Sequence, residues 1–174
     1  VLRELQDKKY QLGIVGTKTN ENNLDYEYLT TDQLVLIASM DDPRFSGQTS
    51  VSLASLADCR FILREPGSGT RQEFAAALKK SGLSPDDLRV VAEMNSNEAI
   101  KYAVREGLGV SVVSSLSVAD YIESGHIRAL NVEEMDLKRS FYLVTHRNRP
   151  LSPSVAAFRE YILTYYATKK TADT

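Results

Sequence analysis

The sequence predicts an α/β fold with a largely parallel sheet. Short apolar, β-branched runs alternate with helical patterns nearly throughout the chain. Glycines stand where those helical patterns stop, at Gly82, Gly107 and Gly125. Near the end, Ser152 and Pro153 have the order of an N-cap followed by a first-turn proline.

The elements follow in order. VLRELQDKK (1–9) puts Val1, Leu2 and Leu5 on one helical face, and QLGIVG (11–16) is a short apolar strand ended by Gly16. Residues 24–39 read as a broken pair of strands, the second buried and β-branched, before a turn-rich stretch over 41–50. A short helix over 52–59 and a strand over 60–63 come next. The loop REPGSGTRQEF (64–74) then opens a helix that Gly82 closes. Residues 88–94 form a strand and 97–107 a helix, with Ile100, Ala103 and Val104 facing inward. A strand (110–115), a helix (117–125) and two further strands, IRALNV and FYLVTHR, lead to the last helix. There Val155, Phe158 and Ile162 mark the expected buried stripe.

Composition narrows the function. The 174 residues are 43% hydrophobic and 25% charged, enough for one sizeable domain or two small lobes. The net charge of −2 and the lack of a Lys/Arg block argue against nucleic-acid binding by this chain itself. A single cysteine, Cys59, excludes an internal disulfide and fits a reducing compartment. It reads as a small buried hydrophobe rather than a reactive thiol. No run approaches the ~20 apolar residues of a membrane span. The opening VLRELQ has no signal-peptide pattern and reads as mid-helix, so a fragment of a longer protein is expected.

The loop at 64–74 is the first candidate site. Gly67 and Gly69 allow close backbone approach, and a helix start presents free N–H groups that favour an anion. Ser68 and Thr70 add hydroxyls. Arg71 either offers a forked donor or pairs with a carboxylate, Glu65 being nearest in sequence. Thr70 and Glu73 also have the spacing of a capping box, which would satisfy the same N–H groups internally. Both readings stand. The loop lacks the third glycine of a dinucleotide fingerprint and the GK[ST] of a Walker loop. Asn95 and Ser96 open the next helix in the same strand-to-helix context, where ligands gather in open α/β sheets, although such residues are more often caps.

Catalytic signals are thin. No GxSxG elbow is present, and Ser68 has no base placed beside it by sequence. His126, His146 and Cys59 lack metal-ligand spacing, so neither a catalytic residue, a metal site nor a cofactor is assigned. Arg147 and Arg149 bracket a turn and read as a solvated loop.

Taken together, the segments VLRELQDKKYQLGIVG, LVLIASMDDPRF, SLASLADCRFILREPGSGTRQEF, NSNEAIKYAVREGLGVSVVSS, IESGHIRALNV and FYLVTHRNRPLSPSVAAFREYI keep the order and spacing of one family. The chain resembles the effector-binding domain of LysR-type transcriptional regulators, and the loop variant resembles the branch that regulates carbon fixation and sulfur assimilation. The resemblance implies two Rossmann-like lobes joined by two crossover strands, as in type 2 periplasmic binding proteins. The first lobe would be 1–37 with 132–174 and the second 38–131, with crossovers near Ile37–Ser39 and Leu130–Val132. A small, anionic effector would bind between the lobes. Ser68, Gly69, Thr70, Arg71, Asn95 and Ser96 would come from the second lobe, and Gly16 and Thr17 from the first.

The family's domain begins with a further strand, helix and strand ahead of VLRELQ. The first lobe is therefore expected to be incomplete at its N-terminus. The resemblance also implies a cytoplasmic homodimer or homotetramer that reaches DNA only through an N-terminal segment outside this chain, and no membrane partner. A periplasmic solute-binding protein of the same fold is the alternative, and an enzyme the weaker third.

Overall fold

The computed structural model describes residues 1–16 and 18–172. In chain order the elements are α1 (Leu2–Gln6), β1 (Leu12–Val15), β2 (Leu24–Ser39), β3 (Ser50–Val51), β4 (Arg60–Arg64), α2 (Gly69–Lys80), β5 (Arg89–Met94), α3 (Asn97–Arg105), β6 (Ser111–Ser114), α4 (Ala119–Glu123), β7 (Ile127–Val132), β8 (Lys138–His146) and α5 (Pro153–Ala172). Two compact units result, one of Val1–Thr31 with Arg139–Thr174, the other of Asp32–Lys138. The breaks expected at 37/38 and 131/132 compare with 31/32 and 138/139 here.

The second unit carries most of the candidate residues, Ser68 to Arg71 with Asn95 and Ser96, and its strands explain how. Along β2, Leu34, Leu36 and Ala38 enter one apolar cluster while Val35 and Ile37 enter another. In β4, Phe61 and Leu63 join the first cluster and Ile62 the second. A period of two with both faces apolar is the signature of strands covered on both sides. On the first face α2 supplies Phe74, Ala77 and Leu78, with the Phe61 and Phe74 rings stacked at 6.0 Å. On the second face α3 supplies Ile100 and Val104. Each fully buried Leu or Ile contributes about 1.5–3 kcal/mol.

The expectation of a largely parallel sheet is not met. The pairs β1–β8, β2–β6 and β2–β7 are antiparallel, whereas β3–β7 and β4–β5 are parallel. The cause is β2 itself. It is one continuous 16-residue strand rather than a broken pair, and both β6 and β7 run back against it. The polar TTDQ stretch stays in the strand because Asp32, 1% exposed, accepts a 2.7 Å hydrogen bond from Ser114 Oγ on β6. The helix expected over 52–59 is a single 3-10 turn, Leu53–Leu56.

At the other edge of β4, the Phe61–Val110 bridge brings a second backbone close. Val110 N–H donates to Arg60 O at 2.8 Å, and a Cβ on Gly109 would collide with that same carbonyl. Glycine is required there by space.

In the first unit, β1 pairs with β8 from Leu12↔Thr145 onward, and Leu5, Leu24 and Val144 form a small core. The loop arginines are not merely solvated. Arg149 donates to Lys8 O at 2.8 Å, and Arg147 Nε lies 2.9 Å from Asp25 Oδ1. The stripe expected on α5 is only partly buried. Val155 and Ile162 are half-buried, but Phe158 is 50% exposed.

Candidate functional site

The adjacent parallel strands β4 and β5 end together, with Arg64 opposite Met94. Each is followed within a few residues by a helix, so the starts of α2 and α3 are neighbours. The connecting loop is pinned by Glu65 N–H donating to Met94 O at 3.1 Å and by Ser68 N–H donating to Glu65 O at 3.2 Å. Gly67 takes the left-handed conformation (φ +90°) that turns the chain into α2.

The two starts differ. At α2 the N-cap is Ser68, which is only 8% exposed, yet its side chain makes no capping hydrogen bond. Thr70, expected to cap the helix with Glu73, is instead its second residue, and the N-cap position belongs to Ser68. Gly69, the first helical residue, has nothing near the position of a side chain, and Thr70 is 8% exposed. A 12-residue helix thus begins on a buried serine whose hydroxyl is not bonded to the helix. At α3 the N-cap is Ser96, whose Oγ accepts from Ala99 N–H at 3.4 Å, so this hydroxyl serves its own helix. Asn95, ahead of it, is exposed.

Arg71 is an ion-pair residue. Its Nη1 lies 2.7 Å from Glu93 Oε1 on β5 and donates to Arg64 O at 2.9 Å. The partner is not Glu65. That carboxylate takes Arg64, whose hydrogen bonds hold the Glu65 carboxyl below the usual glutamate range. Arg64 also donates from Nη1 to Asn97 Oδ1 at 2.6 Å. Sequence reasoning passed over Arg64; the available signal was an arginine closing a strand just before Glu65 and the glycine loop. Gly16 lies in the first unit at the end of β1, where a Cβ would sit 3.5 Å from Arg139 Nη1. Thr17 lies outside the described residues.

Elsewhere the chemistry is quiet. Among the described residues no group of three or more His, Cys, Asp or Glu is placed to hold a metal, and no helix is long and apolar enough to cross a membrane. Cys59 is 1% exposed, and burial pushes its thiol pKa up, which suits a core residue. His126 is exposed and His146 half-buried.

The comparisons with known proteins bear on this arrangement. Residues 1–167 match the family model described as the LysR substrate binding domain. The chain belongs to this family. It is 36% identical over 163 residues to the RuBisCO operon transcriptional regulator of Allochromatium vinosum, covering 94% of this chain and 53% of that protein. The chain spans about half the length of the curated relatives it matches. Among solved structures, the regulatory domain of Synechocystis PCC6803 CcmR in complex with 2-PG is 30% identical. That match covers 95% of this chain and 77% of that one, with a TM-score of 0.83. The effector-binding domain of QuiR in complex with shikimate is 22% identical and has a TM-score of 0.81, over 96% of this chain and 77% of that one; it supports the fold alone. The fold of this LysR substrate-binding domain is accordingly the type 2 periplasmic-binding-protein fold. The relatives cited are named as regulators, not as solute-binding proteins.

Proposed function

We propose that this chain is the effector-sensing domain of a LysR-type transcriptional regulator and that a small anion binds at the start of α2. The observation that carries the reading is Ser68, a buried N-cap residue with its hydroxyl unused by its own helix. A carboxylate or phosphate there would gain first-turn N–H donors, the Ser68 hydroxyl and the positive end of a 12-residue helix. Gly69 leaves room for close approach. The 2-PG complex of CcmR, a relative at 30% identity, supports the same ligand class.

The ligand acts by binding one conformation of the protein better than another, with a coupling of about 1–3 kcal/mol. The full protein is a cytoplasmic homodimer or homotetramer, and DNA is reached through a segment outside this chain. The domain senses its ligand rather than turning it over.

Isothermal titration with 2-phosphoglycolate, and with inorganic phosphate as a simpler anion, tests the reading. Saturable binding is expected. Ser68→Ala should weaken it about 10- to 100-fold, the value of one hydrogen bond to a charged group. An absence of heat with either anion, or unchanged affinity in Ser68→Ala, overturns it.

A further inference from the structure

Arg64 closes β4, and three of its nitrogens are engaged. Nε and Nη2 donate to the two Glu65 oxygens at 2.8 and 2.9 Å, and Nη1 donates to Asn97 Oδ1 at 2.6 Å. Glu65 begins the loop into α2, and Asn97 is the first residue of α3. The Arg64 carbonyl meanwhile accepts from Arg71 in the first turn of α2, and the same Arg71 nitrogen reaches Glu93 on β5. One strand end is therefore bonded to the loop before α2, to the first turn of α2 and to the first residue of α3. The Arg64 side chain is 18% exposed, so water competes little for these bonds.

We propose that Arg64 is a positioning residue of the anion site. Through Glu65 and Asn97 it sets the spacing of the two helix starts, and with it the aim of the Ser68 hydroxyl and the first-turn amides of α2. The inference rests on the anion reading above. Its basis is geometric. Glu65 already neutralises the Arg64 charge, so this guanidinium is not a free counter-charge for a ligand. A planar fork can grip a carboxylate on one edge and an amide oxygen with its remaining nitrogen, which a lysine ammonium cannot reproduce. The same network explains why Arg71 is held at Glu93 instead of standing free at the loop.

Asn97→Ala is the cleanest probe, because it leaves the Arg64 charge and the Glu65 pair intact and cuts only the link to α3. In the full chain, titration with 2-phosphoglycolate should show about 3- to 30-fold weaker binding for Asn97→Ala and for Arg64→Lys. The double variant Arg64→Lys/Asn97→Ala should be no weaker than Arg64→Lys alone, since both cut the same link. Urea midpoints measured in parallel separate stability from positioning. Lower midpoints with affinities within about twofold of wild type, or losses that add, overturn the proposal. If wild type binds neither 2-phosphoglycolate nor phosphate, the anion reading fails first. The brace is then judged without ligand, by the backbone amide resonances of Gly69 and Thr70. Asn97→Ala should move them, and unmoved resonances overturn the brace.

Discussion

Two serines at neighbouring helix starts offer a paired perturbation with opposite expected outcomes. Ser96 Oγ accepts from Ala99 N–H, so Ser96→Ala removes a working cap. Caps of this kind contribute about 0.5–2 kcal/mol, and the long 3.4 Å contact places this one near the lower end, about 0.5–1 kcal/mol. For a chain of 174 residues that is a fall of about 1–4 °C in Tm. Ser68 makes no capping bond, so Ser68→Ala should change the ligand-free Tm by less than about 1 °C. Saturating 2-phosphoglycolate reverses the order. Bound ligand stabilises by RT ln(1 + [L]/Kd), about 2.7 kcal/mol at a hundredfold excess over Kd. A 10- to 100-fold weaker Ser68→Ala would lose roughly 1.3–2.3 kcal/mol of that shift, while Ser96→Ala keeps most of it. Differential scanning fluorimetry of the three proteins, with and without ligand, reads both effects. The reasoning is refuted if Ser68→Ala lowers the ligand-free Tm as much as Ser96→Ala does and both retain the full ligand shift. Ser68 would then be an ordinary structural residue.

Other perturbations follow from the packing. Gly109→Ala drives a methyl into the Arg60 carbonyl and should destabilise by about 1–3 kcal/mol, read as a lower urea midpoint; a neutral result would show that the β4 edge yields easily. Lys101 is only 3% exposed, bridges Glu98 at 2.7 Å and Asp120 at 3.2 Å, and lies over the Tyr121 ring. Both acid partners remain solvated, so Lys101→Met should cost less than Lys101→Ala, by about 1 kcal/mol of lost stem packing, in chemical denaturation; equal losses would assign the effect to charge. The Glu65 carboxyl is lowered by Arg64, so its pair is fully stabilising above the ordinary value of 4.5 and is lost as pH falls through the lower folded value. Glu65→Gln should remove that part of the acid limb, narrowing the Tm gap to wild type below about pH 4.5; a gap that stays constant to about pH 3 contradicts it.

What the chain reveals on its own are local signals. Ser68, Ser96, Gly67 and the closing glycines each state a backbone need within a few residues, and the strand-then-helix order around them was readable for that reason. Partnerships made by register were not. The TTDQ stretch looks like a break until Ser114, distant in sequence, meets Asp32 and keeps β2 whole. Glu65 is the acid nearest Arg71 in sequence, but strand pairing brings Glu93 to it and leaves Glu65 with Arg64. Phe158 fits an apolar helical stripe, yet a period reports only a face, and this ring stays 50% exposed while Val155 and Ile162 beside it are half-buried. The cap expected at Thr70 was displaced for a similar reason: the spacing with Glu73 was right, but the N-cap lies two residues earlier, at Ser68.

Backbone amide NMR during titration with 2-phosphoglycolate reaches the central claim most directly. Saturable movement of the Gly69, Thr70 and Arg71 amide resonances is the predicted result, with Ala99, already held by Ser96, moving far less. Saturable binding that leaves those three amides in place would contradict the account.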